Sequence, residues 1–167
     1  MTSRKMIEEF VSQPALALMG ISRKKGKFGN LAYHSLVSRG YRVYPIHPQA
    51  KTIDGVRCYS SFDELPESVD SVLIVLPPAS ALEAVRKAAA AGVQRVWLQQ
   101  GSEAPYLLRA CEELGIDAIS GECILMFARP ASYHKVHRWL WGVLGKLPRD
   151  NELDRSADLT KAVQHDR

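Results

Sequence analysis

An open α/β sheet in three layers, mainly parallel, with five or more strands and helices on both faces, is the fold this sequence predicts. Three observations predict it. Short apolar runs recur at 15–19, 41–46, 72–76, 93–98 and 116–119 without strict polar alternation, as expected of strands buried on both faces. Segments of helical period separate them at 30–38, 79–91 and 104–114. Three returns from helix to strand pass through a glycine, Gly40, Gly92 and Gly115, where a left-handed cap forms without a Cβ clash.

The elements follow in order. Segment 1–13 is charged and interrupted by Glu8 and Glu9, so it reads as a helix ahead of the first strand and not as a signal peptide. Between 54 and 69 the pattern loosens: 56–59 reads as a short extra strand and 62–65 as a helical turn stopped by Pro66. The alanine run 88–91 predicts a helix lying close on the sheet. Segment 134–147 places Val136, Leu140, Val143, Leu144 and Leu147 at helical spacing beside Trp139 and Trp141, an amphipathic helix suited to covering a sheet face. From Pro148 apolar residues thin out. The expected organisation is one domain over 1–147, with N-terminal and C-terminal helices, and a charged, loosely ordered tail over 148–167.

Composition agrees. A chain of 167 residues, 46% hydrophobic and 24% charged, suits one compact core and excludes collagen-like, disordered and disulfide-scaffold classes. At this length roughly 70% of the unfolded surface is buried, enough for one sheet covered by helices but not for a large multi-domain enzyme. Cys58, Cys111 and Cys123 are odd in number and lack Cys-x-x-Cys pairing, which points to reduced thiols and a cytoplasmic location. No apolar run approaches about 18 residues, so no membrane-spanning helix is expected. The net charge of +4 resides in the body, because the tail is slightly acidic. That balance suits an anionic small ligand and is too weak for a nucleic-acid partner.

The most informative stretch runs from Met19 to Asn30. It leaves the first strand at Gly20 and enters the next helix near Gly29 or Asn30, where a doubly wound sheet holds nucleotide phosphates at a helix N-terminus. Its glycines depart from G-x-G-x-x-G: Ser22 occupies the second position, and Gly26 and Gly29 come late. No acid follows the second strand before Asp54, which disfavours the ribose contact of NAD. Arg23, Lys24, Lys25 and Lys27 crowd the turn instead, and a ligand carrying an additional phosphate, NADP or coenzyme A, fits them better.

Four segments in order carry a family resemblance: Gly20-Ile21-Ser22 with Gly26 and Gly29, then 43–48 ending Ile46-His47-Pro48, then Val75-Leu76-Pro77-Pro78, then Gln99-Gln100-Gly101. Over roughly 14–127 the chain resembles the CoA-binding domain family, the N-terminal domain of the succinyl-CoA synthetase α subunit and its small stand-alone relatives. The resemblance implies a Rossmann-type fold whose first turn, Gly20, Ile21, Ser22, Lys25, Gly26 and Phe28, holds the phosphates of CoA or an acyl-CoA. It implies that His47, Pro48 and Lys51 face the nucleotide end, His47 standing where the family usually has Asn. It places Val75, Leu76, Pro77 and Pro78 on the adenine side, and Gln99, Gln100 and Gly101 after the fourth strand. Each segment follows a strand's carboxyl end, the edge where open α/β sheets bind ligands. Pro77-Pro78 offers either a rigid platform for a base or a delayed helix start. Gln99 and Gln100 suit either a pantetheine amide or their own loop.

The synthetase's phosphohistidine domain and ATP-grasp partner have no counterpart in this sequence, so binding without turnover is the expected behaviour. The role would be carrier, sensor or regulatory partner, with a homodimer or partner protein left open. Cys123 after the fifth strand reads as a reactive thiol or a small apolar residue, and His134 with His137 as a zinc pair or a solvated helix face. Two alternatives stand beside the leading one. A small NADP-dependent oxidoreductase would need a proton donor, and Tyr33 and Tyr44, the nearest tyrosines, lack a partnering Lys motif; a nucleotide-sensing regulator would act through the terminal helix.

Overall fold

The computed structural model describes residues 2–128. The expected terminal helix at 134–147, with His134, His137, Trp139 and Trp141, and the tail at 148–167 lie outside the described residues. Helix α1 (Arg4–Ser12) starts where the Ser3 hydroxyl accepts the Met6 N–H at 3.2 Å, and it buries Ile7 and Phe10. The chain then passes through β1 (Ala15–Met19), α2 (Phe28–Ser38) and β2 (Arg42–Ile46). A hairpin of β3 (Thr52–Ile53) and β4 (Val56–Arg57) follows, then a 3-10 turn at Phe62–Glu64. The rest is β5 (Ser71–Ile74), α3 (Pro78–Ala90), β6 (Arg95–Leu98), α4 (Pro105–Glu113), β7 (Asp117–Ile119) and α5 (Ile124–Phe127).

The main sheet has five strands in the order β2-β1-β5-β6-β7, every pairing parallel. Ala17 is flanked by Tyr44 on one side and Val72 on the other. The chain runs outward from β1 to β2 and returns to β5 on the far side of β1, so the topological switch point lies between β1 and β5. Beyond β2, Tyr59 forms a single parallel bridge to Ile46, with His47 N–H donating to Tyr59 O at 2.8 Å and Tyr59 N–H to Pro45 O at 2.9 Å. That bridge stands where a further edge strand would continue the sheet.

Alternation along the strands divides the core between two faces. Leu16, Leu18, Val43, Leu73, Trp97 and Ile119 pack with residues of α1, α2 and α5. Ala17, Met19, Val72, Ile74, Val96 and Leu98 pack with α3 and α4 on the other face. Trp97 is fully buried, edge-on to Phe10 at 5.3 Å, and its Nε1–H donates to Glu122 O at 3.0 Å. The close seat of α3 comes from Ala81, Ala84 and Ala88 on one helix face; of the 88–91 run only Ala88 is fully enclosed, because consecutive helical residues point around the axis. The hairpin straddles the start of the loose region 54–69: β4 falls within the short strand expected at 56–59, while its partner β3 lies just ahead of that region and, with two residues, carries no period. Its turn has Asp54 at φ 49 and Gly55 at φ 77, the paired left-handed geometry that Asp-Gly favours.

Two glycines set the depth of β1 and α2. A Cβ on Gly20, whose φ is +124, would stand 2.1 Å from Val75 O, and one on Gly29 would stand 2.1 Å from Gly20 O. Replacing Gly29 by Ala is therefore expected to cost about 2–4 kcal/mol of stability in urea denaturation. The comparison is Gly92→Ala, left-handed at φ +79 with open space around it, for which the expected loss is about 1–2 kcal/mol. Equal losses would show that backbone approach at Gly29 is not the constraint.

Candidate functional site

The carboxyl ends of β1, β2 and β5 open into a cleft of about 640 Å³. Gly20 and Ile21 form its floor with Leu76, and Ile46, His47 and Pro48 enter from the end of β2. Residues 60–63, with the Phe62 ring among them, make one wall; Ser80, Glu83, Ala84 and Lys87 of α3 make the other. The opening exists because the return from β2 to β5 is a hairpin and a 3-10 turn, which cover less of the sheet than a helix. Its size lies within the usual range for small-molecule sites. Glu83 and Lys87 pair at 2.7 Å on its rim, and this contact holds the Glu83 carboxyl below its ordinary range.

Next to the cleft, residues 22–27 turn into α2. Arg23, Lys24, Lys25 and Lys27 are all exposed, and none forms a salt bridge among the described residues. Lys27 occupies the N-cap position without a side-chain cap, so no side chain bonds the amides of the first turn of α2. Inside the turn, Asn30 is buried; its Oδ1 accepts the Ser22 N–H at 2.8 Å and its Nδ2–H donates to Ser22 O at 2.8 Å. The Ser22 hydroxyl accepts the Lys24 N–H at 3.1 Å and keeps its own proton to donate. A helix N-terminus, a hydroxyl and four cations around one turn are the kinds of group by which proteins hold phosphates.

The model of the CoA-binding domain family matches residues 15–129. This chain belongs to that family. Acetate-CoA ligase (ADP-forming) I of Archaeoglobus fulgidus is 27% identical over 130 residues, 72% of this chain and 19% of the ligase. The α subunit of acetate-CoA ligase (ADP-forming) II from Pyrococcus furiosus is 32% identical over 73 residues, 43% of this chain and 16% of the subunit. The chain thus spans less than a fifth of the length of these curated relatives. Among solved structures, a conserved hypothetical protein from Pyrococcus furiosus aligns at 36% identity with a TM-score of 0.62, covering 67% of this chain and 97% of that one. The dinucleotide-forming acetyl-coenzyme A synthetase 1 of Candidatus Korarchaeum cryptofilum, solved with phosphate and ADP, aligns at 27% identity with a TM-score of 0.59, covering 68% of this chain and 27% of that one.

In this CoA-binding domain, five residues singled out from the sequence line one cleft: Gly20, Ile21, His47, Pro48 and Leu76. Ser22, Lys25, Gly26 and Phe28 form the adjoining turn, Phe28 as the first residue of α2. Val75 lies beneath Gly20 and donates its N–H to Met19 O at 2.7 Å. Lys51 is exposed at the base of the hairpin, where its carbonyl accepts the Cys58 N–H at 2.9 Å. Pro77 stands at the N-cap of α3 and Pro78 at its first position, so the pair starts the helix. Gln99, Gln100 and Gly101 lie outside the cleft, after β6. Gln99 Oε1 accepts the Ile124 N–H at 3.3 Å and Gln100 Nε2–H donates to Gly121 O at 3.0 Å, so both side chains brace the neighbouring loop.

Several residues of the site carry no sequence signal. The wall at 60–63 and the α3 residues Glu83 and Lys87 reach the cleft only through the crossover, and Asn30 looks like an ordinary helix residue. Tyr44 donates its hydroxyl to Glu67, which also takes a two-bond contact from Arg42, at the exposed edge of β2. Tyr33 packs against the cluster of Ile21, Ala50, Ile53 and Cys58, and burial raises its hydroxyl pKa. Cys123 is half-buried at the start of α5, beside Glu122, whose carboxyl burial pushes up.

His47 closes its own loop. Its Nδ1 accepts the N–H groups of Gln49 at 3.2 Å and Ala50 at 2.9 Å, a bond pair that requires an unprotonated nitrogen. Burial, and secondarily the Arg23 charge, lower its pKa from 6.5. The unfolded chain therefore binds the proton first as pH falls, and stability held above that value is lost as pH drops through 6.5 toward the folded pKa. Melting temperature measured from pH 7.5 to 5 should fall through this window, and His47→Asn, which keeps an acceptor that does not titrate, should flatten part of the slope. An unchanged slope would remove His47 from the acid response.

Proposed function

We propose that this domain binds CoA or a short acyl-CoA, with the phosphates on the turn after β1 and the adenine and ribose in the cleft lined by His47 and Leu76. The observation that carries the reading is the uncapped N-terminus of α2 at the β1/β5 switch point, ringed by four exposed cations and opening onto an apolar cleft. Four cations exceed the need of one pyrophosphate and suit a ligand with a third phosphate. Membership of the CoA-binding domain family and likeness to the CoA ligases support the same ligand.

The role we infer is that of a carrier, sensor or regulatory partner that holds CoA without transforming it. Two of the side chains around the cleft that could perform chemistry are already engaged: His47 Nδ1 closes its loop and Glu83 pairs with Lys87.

Titration calorimetry with CoA, NADP, NAD and ATP tests the ligand, with CoA expected to bind most tightly; no binding of CoA at millimolar concentration overturns the reading. Lys25→Ala is expected to weaken CoA roughly five- to tenfold and dephospho-CoA little, because one charge-assisted contact to the 3′-phosphate is lost. Equal losses for the two ligands would show that Lys25 does not contact that phosphate.

A further inference from the structure

We propose that Asn30 is a positioning residue for ligand binding, one that sets the shape of the phosphate turn by gripping both backbone polar groups of Ser22. The inference rests on the reading of that turn as a phosphate site. Asn30 is 8% exposed and lies in the first turn of α2. Its amide meets the Ser22 peptide groups as a strand would, accepting the N–H and donating to the carbonyl, both at 2.8 Å. The consequence concerns what the ligand can meet. The Ser22 N–H is committed to Asn30, so the turn presents the Ser22 hydroxyl, the first amides of α2 and the lysines. Gly29, one residue earlier, sets how deep α2 sits against Gly20, and Asn30 sets how the turn above it is folded.

Asn30 also meets a negative charge. Its Nδ2 reaches Asp54 Oδ2 at 3.5 Å, at the limit of a hydrogen bond, and so ties the β3-β4 hairpin to the turn. Two roles are thereby joined in one amide: the grip on Ser22 and the tie to Asp54. The proposal assigns ligand affinity to the grip.

Asn30→Asp breaks both, and a second substitution at Asp54 restores the tie alone. It keeps the side-chain size and an acceptor for the Ser22 N–H, but it cannot donate to Ser22 O, and it adds a carboxylate next to Asp54 and beneath the phosphates. CoA affinity is expected to fall by roughly tenfold or more in calorimetry, while circular dichroism retains the folded spectrum. Combining Asn30→Asp with Asp54→Asn restores the hairpin tie with donor and acceptor exchanged, yet leaves the Ser22 carbonyl without its donor. Affinity is expected to stay low in the combined variant. Wild-type affinity in Asn30→Asp, or full recovery in the combined variant, overturns the assignment.

Hydrogen exchange on the unaltered, ligand-free protein gives a measure independent of whether the variants fold. The Ser22 amide should exchange more slowly than an unprotected peptide, and exchange at the free rate overturns the proposal. If the wild type binds no CoA, the ligand reading fails and this assignment with it. If the wild type binds CoA and Asn30→Asp binds it equally well, only the assignment to Asn30 fails.

Discussion

The constraint from which the site of this domain follows is the stacking of Val75, Gly20 and Gly29 at the carboxyl ends of β1 and β5. With a side chain at Gly20 the end of β1 could not lie against β5, and with one at Gly29 helix α2 could not lie against Gly20, since each Cβ would come within 2.1 Å of a backbone oxygen. The glycines bring the N-terminus of α2 to the point where the sheet changes direction. The first amides of that helix and the partial positive charge they carry then face the carboxyl edge of the sheet. The dinucleotide fingerprint assigns its third glycine to close helix-strand packing, and Gly29 does that work here in a longer turn.

A second consequence follows from the way the chain returns from β2. A helix in that connection would cover the β1 and β2 end of the face shared by Met19 and Ile46, whereas the hairpin, the Tyr59 bridge and the 3-10 turn leave it partly open. The small residues Ser80 and Ala84 of α3, with Glu83 and Lys87, lie along one side of the gap and Phe62 along the other. The cleft is therefore a product of topology and of small side chains together. The hairpin is held by local means: the Asp54-Gly55 turn, the Ile21, Ala50, Ile53 and Cys58 cluster, and the Asn30 amide.

Electrostatics add a directional element. Arg23, Lys24, Lys25 and Lys27 lie within five consecutive residues, exposed and without acidic partners among the described residues. Their mutual repulsion is relieved when an anion enters, and their combined field draws one toward the turn. The lowered pKa of His47, set first by burial, also fits this setting, since a second positive charge beside Arg23 is disfavoured. What the modest net charge of +4 conceals is this concentration at one edge.

The chain order of the main strands and helices, the parallel sheet and the long turn between β1 and α2 could all be read from the sequence, because runs such as 15–19 and 93–98 and the glycines after each helix are signals carried by neighbouring residues. Helix starts were displaced by only one or two residues, as at Phe28 and Pro105, where caps are made by backbone and proline and not by a Ser or Asp side chain. The family resemblance singled out segments at the carboxyl edge of the sheet. It did not separate the residues that line the cleft from those that brace it: Gln99 and Gln100 hold the loop before α5, while residues 60–63 and Glu83 form walls. Those distinctions depend on which groups meet across the crossover, over separations such as the 25 residues between Gln99 and Ile124 or the 24 between Asn30 and Asp54. Local patterning determined the elements and where their ends fall, because burial and helix capping act on adjacent residues. Tertiary structure alone decided which polar groups of the distant segments are committed to one another, because bonds such as Gln99 to Ile124 and Asn30 to Asp54 form only once the crossovers bring those segments together.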